Sequence, residues 1–176
     1  PTSHIDAFRN NPDTTLVVDA WPETDTLRYY GAAYLFVLYL SEKYGDLSGQ
    51  VGKEHFIKDL VEEDSNGIQG IDNVLEAYGY SDTFAKVFKY WVLANYLDSS
   101  AINNKYEYQH IDIHVEPAWD NWWNPLIPIG GQPVTIDGPS PVHPWAADYI
   151  RVHFLSNGFY LKSIFEGNGD SDYTIY

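Results

Sequence analysis

Tyr30-Gly-Ala-Ala-Tyr-Leu-Phe-Val-Leu-Tyr-Leu40 is the stretch on which the reading of this chain turns. It contains no charge and no proline, and its apolar side chains leave no polar stripe. A helix that is apolar nearly all round belongs in the centre of a domain. Asp25 or Thr26 can cap its start and Gly45 can close its end, which predicts a helix from Leu27 to about Tyr44. Working outward, a second helix is expected from about Val51 to Glu63, with Val51, His55, Leu60 and Val61 near one face. A third is expected over roughly Ile68–Tyr78. Ser81-Asp-Thr83 introduces a fourth, Phe84 to about Leu97, whose Phe84, Val87, Phe88, Trp91 and Tyr96 can pack inward. Upstream, Pro1–Thr26 reads as an irregular lead-in with one apolar patch, Leu16-Val-Val18, and a Trp21-Pro22 turn.

After Ser100 the hydrophobic period shortens towards two. Tyr106-Glu-Tyr-Gln-His-Ile-Asp-Ile-His-Val115 alternates cleanly and predicts a strand. A stretch rich in Pro and Trp follows, Pro117 to Pro144, with a Gly130-Gly131 turn. Two more strands are expected, Asp148 to about Leu155 and Phe159 to Phe165, joined across Gly158. Helices first and strands afterwards imply an α+β fold. The expectation is an N-terminal helical subdomain of about four helices over residues 1–100, followed by an antiparallel β subdomain over residues 101–176.

Composition narrows the function classes. The 10 Lys and Arg against 25 Asp and Glu give a net charge of −15, which argues against nucleic acid as a partner. No apolar run approaches the roughly 18–20 residues of a membrane span. The absence of cysteine excludes disulfide scaffolds and thiol chemistry. Aromatic residues reach 16%, which together with the acidity suits a secreted or cell-surface protein. The chain opens at Pro1 and has no methionine, so it is expected to be a processed or excised piece. The final Asp172-Tyr-Thr-Ile-Tyr176 reads as a strand cut short.

Several constellations invite a chemical reading. His110-Ile-Asp-Ile-His114 places two imidazoles four residues apart. On a strand they stand about 13 Å apart at ~3.3 Å per residue, too far to share one metal. His110 with Asp112 could do so if a third ligand came from elsewhere; the alternative is the polar face of a half-exposed strand. Gly167-Asn-Gly-Asp-Ser-Asp172 is oxygen-rich and makes calcium a candidate, although it lacks the bidentate Glu of the twelve-residue loop. Otherwise it is an exposed turn. Trp119, Trp122 and Trp123 could stack on a sugar, or pin a proline-rich segment onto the helices. There is no Gly-x-Ser-x-Gly elbow and no phosphate-binding glycine loop.

Taken in order, four segments carry a resemblance: Arg28-Tyr-Tyr-Gly-Ala-Ala-Tyr-Leu-Phe-Val-Leu-Tyr-Leu-Ser-Glu-Lys-Tyr-Gly45, Phe56-Ile-Lys-Asp-Leu60 with Gly70-Ile-Asp-Asn-Val-Leu75, Phe84–Leu97, and Trp145-Ala-Ala-Asp-Tyr-Ile150. Together they resemble the part of gluzincin-type zinc metallopeptidases, secreted neutral peptidases among them, that follows the catalytic helices. The resemblance implies that zinc and the general-base Glu belong to a parent protein, on a His-Glu-x-x-His segment that this sequence does not contain. It implies a non-catalytic role here, forming one wall of the peptide cleft, with the catalytic portion as partner. Tyr29 and Tyr30 stand closest to the oxyanion-stabilising Tyr of such enzymes. Two other classes remain open: a self-associating surface or assembly module, and a carbohydrate-binding module.

Overall fold

The computed structural model describes residues 2–17, 24–117, 119–123 and 144–154. Five α-helices appear among them: α1 (Thr2–Asn10), α2 (Thr26–Tyr44), α3 (Phe56–Glu62), α4 (Gly67–Ala77) and α5 (Phe84–Leu97). Short 3-10 turns follow α2 and α5, at Asp46–Ser48 and Asn104–Tyr106.

The long apolar stretch becomes the central helix. On α2, Ala32, Leu35, Tyr39, Leu40 and Tyr44 are fully buried. They share one core with Phe84, Val87, Phe88 and Trp91 of α5, which Phe36 of α2 touches directly. Aromatic rings fix the junction. Trp91 meets Phe36 edge-on at 5.5 Å and stacks with Phe8 of α1 at 5.6 Å, while Phe36 meets Phe84 at 5.6 Å. Such pairs add about 0.5–1.5 kcal/mol each beyond the area they bury.

Helix α1 lies directly on α2. A Cβ at position 31 would collide with the His4 carbonyl oxygen, so Gly31 is what lets the two backbones approach. The predicted irregular lead-in therefore starts with a helix. Its nine residues carry too few apolar side chains, Ile5, Ala7 and Phe8, to signal a period. The second predicted helix is shorter than expected, because Val51 is 99% exposed and residues 51–55 form turns ahead of Phe56.

The antiparallel β subdomain expected over residues 101–176 is not there among the described residues. Tyr106–Val115 is not a strand. Burial alternates only over its last part, where Ile113 and Val115 are buried and Asp112 and His114 exposed; Tyr108 is buried in the opposite phase, and Gln109 and His110 are both exposed. What it lacks is a neighbouring strand, because its backbone N–H groups go to helical residues. Tyr108 N and Ile113 N donate to the Asp98 carboxylate at 2.7 Å each, and Val115 N donates to the Asn95 carbonyl at 2.9 Å. Further on, the strands among the described residues are a short pair, β1 (Trp119–Trp123) and β2 (Ile150–Phe154), and the pair is parallel. The chain is therefore a helical fold with an extended strap laid across it. The expected strand Phe159–Phe165, the Trp21-Pro22 and Gly130-Gly131 turns and the Gly167–Asp172 calcium candidate lie outside the described residues.

Between the strap and β2, residues 144–149 close over α5. Trp145 packs edge-on against Phe84 at 4.8 Å and Phe88 at 5.4 Å, its carbonyl accepts from Leu16 N, and the Tyr149 hydroxyl donates to the Val92 carbonyl.

Candidate functional site

Leu27, Tyr30, Tyr34 and Val37 recur at helical spacing, and at ~100° per residue they share an arc of about 80° on α2. That arc is opposite the buried one. All four are among the exposed large apolar residues, with Tyr30 at 53% and Tyr34 at 48%. Beside them α1 forms the bank of a shallow apolar hollow of about 400 Å³, lined by His4, Ile5, Tyr30 and Tyr34. The His4 ring meets the Tyr30 ring edge-on at 5.8 Å. The central helix is thus covered on one side and offers an aromatic stripe on the other.

This geometry separates the two tyrosines expected at the helix start. Tyr29 turns towards its own helix neighbour: the Arg28 guanidinium lies 5.1 Å from its ring centroid and hydrogen-bonds its hydroxyl. Tyr30 belongs to the exposed stripe. The side chains of Trp119, Trp122 and Trp123 lie outside the described residues, although their backbone forms β1.

His110 and His114 are not brought together with Asp112 as a metal centre. The His110 ring is taken by Glu42, with Nδ1 at 3.0 Å from Oε1. The His114 ring packs against Tyr96, centroids 5.1 Å apart, and its carbonyl accepts from Arg9 Nε at 2.9 Å. Among the described residues no three His, Cys, Asp or Glu side chains converge on a common point. The described residues offer no site for zinc, which the resemblance assigns to a His-Glu-x-x-His segment of a parent protein.

Sequence reasoning missed Glu42. It sits in the last turn of α2 with a fully buried side chain. Its carboxylate accepts from Gln109 N at 2.8 Å and from His110 N at 3.0 Å, binding the strap to the central helix. The one signal in the sequence is an acidic residue adjoining an otherwise apolar helix.

A second polar belt surrounds Asp82, whose carboxylate accepts from the Tyr44 hydroxyl at 2.9 Å and pairs with Lys86 at 2.8 Å and Lys105 at 3.5 Å. Partial burial pushes the Asp82 carboxyl upward, but those hydrogen bonds and the Lys105 charge outweigh it and hold it below the ordinary range. Burial raises the Tyr44 hydroxyl far above its ordinary value, so it stays a neutral donor.

No family model matches the chain, and neither a curated protein nor a solved structure matches it. No helix among the described residues is long and apolar enough to cross a membrane.

Proposed function

We propose that this chain is the non-catalytic wall of an exported gluzincin-type zinc metallopeptidase, packed through α2 against the zinc-bearing helices of its parent. The observation that carries the reading is the exposed stripe Leu27, Tyr30, Tyr34 and Val37 on a helix whose other face already forms the core. An apolar arc of this kind, flanked by a hollow and not covered by the described elements, supports an association surface. It coincides with the segment that carries the strongest resemblance.

On this reading the chain supplies shape. Zinc, the general base and the activated water would belong to the partner segment, since a zinc peptidase needs all three. The coding sequence that contains this chain tests the reading. A His-Glu-x-x-His helix and a ligand Glu encoded in frame ahead of Pro1 support it. An upstream sequence without them contradicts it. Concentration-dependent association of the chain with itself, with Tyr34 protected in the product, would favour the assembly module instead.

A further inference from the structure

A polar hollow of about 370 Å³ opens where α2 ends, away from the apolar stripe. Lys43 from the last turn of α2, Ser48 and Gln50 from the loop that follows, and Asn104, Lys105 and Gln109 from the loop after α5 line it. Its size falls in the range of small-molecule sites. Its chemistry is unlike the rest of the molecule, for two ammonium groups meet here in a chain of net charge −15.

The charges around the hollow are unevenly satisfied. Glu42, the carboxylate in its wall, is buried and committed to the amides of Gln109 and His110 and to the His110 ring. Lys105 lies 3.7 Å over the Tyr44 ring and 3.5 Å from Asp82, a carboxylate already shared with Lys86 and the Tyr44 hydroxyl. Lys43 is half-buried and has neither a hydrogen bond nor an ion pair among the described residues. Burial lowers both ammonium groups from the ordinary lysine value. Glu107, Glu42 and Asp98 attract Lys43 only from beyond contact distance, and a cation partly withdrawn from water without an anion in contact carries a cost that a bound anion offsets.

We propose that this hollow binds a small ligand through an oxyanion, a carboxylate or phosphate group held between Lys43 and Lys105. Ser48 and the side-chain amides of Gln50, Asn104 and Gln109 supply the hydrogen bonds for the remainder of the ligand. A neutral ligand would leave Lys43 unpaired, and a cation would be repelled by both lysines.

Nuclear magnetic resonance titration of the 176-residue chain tests this, with inorganic phosphate and with citrate as separate probes at constant ionic strength and sodium chloride as control. The expected result is saturable movement of the Lys43, Gln50, Lys105 and Gln109 amide signals with at least one probe. Saturation by phosphate alone assigns a phosphoryl ligand, and saturation by citrate alone assigns a carboxylate. Lys43→Gln weakens the response about tenfold or more, and Lys43→Arg retains most of it. Movement that never saturates and matches the chloride control overturns the proposal, as does an unchanged affinity in Lys43→Gln.

Discussion

The two faces of α2 are alike in composition and opposite in fate. On one, Ala32, Leu35, Tyr39 and Leu40 are completely buried in the core that α2 shares with Phe8 of α1 and with α5. On the other, Tyr30, Tyr34 and Val37 each expose about half of their surface. Hydrophobicity all round a helix states that both faces are stable under cover. It does not state that the same polypeptide segment covers both. The difference makes the inner face a folding element and leaves the outer face for the association we propose.

The strongest way to break this contrast is to disable the inner side where a charge is buried in it. Glu42→Ala leaves the Gln109 and His110 amides without their acceptor and is expected to cost about 3–5 kcal/mol, read by chemical denaturation. Faster hydrogen exchange at those two amides would locate the loss in the strap. Gly31→Ala comes next. It pushes a methyl group into the His4 carbonyl, and the displaced α1 should cost about 1–3 kcal/mol in the same assay.

A smaller effect concerns pH. The Asp82 carboxyl is lowered on folding, so its contribution is present above the unfolded value of about 3.9 and is lost as pH falls through the lower folded value. The melting temperature should therefore drop below about pH 4, and Asp82→Asn should flatten that slope. The smallest effect sharpens the comparison from the outer side. Tyr34→Ser with Val37→Ser should change the stability of the chain by no more than about 0.5 kcal/mol per site, because neither side chain is part of the core. A large loss would mean that the outer face is a folding element too.

How much could be read in advance depended on where each residue finds its partner. Helices α2 and α5 were legible almost to their ends, because their signals are local: an apolar period, with a stop at Gly45 for the first and a start after Ser81-Asp-Thr83 for the second. Helix α1 was illegible since its stability comes from Gly31, far along the chain, and its own apolar residues are few. The strap shows the opposite failure. Its alternation matches burial only from Ile111 to Val115, with Tyr108 buried in the opposite phase, and alternation does not say what satisfies the backbone. Here Asp98, Asn95 and Glu42 replace a strand ladder, and Glu42 lies 67 residues from its partner Gln109. As for the sites, Tyr30 was visible as a candidate from its segment. Lys43 and Lys105 were not, since one lies in the last turn of α2 and the other in the turn after α5, and only the fold brings them together.

The central claim is that the outer face of α2 is covered in the parent protein by the zinc-bearing segment. Hydroxyl-radical footprinting of Tyr30 and Tyr34, compared between the 176-residue chain alone and the complete polypeptide encoded with it, tests this most directly. The account predicts strong labelling of both tyrosines in the chain alone and clear protection in the complete polypeptide. Equal labelling in the two would contradict it.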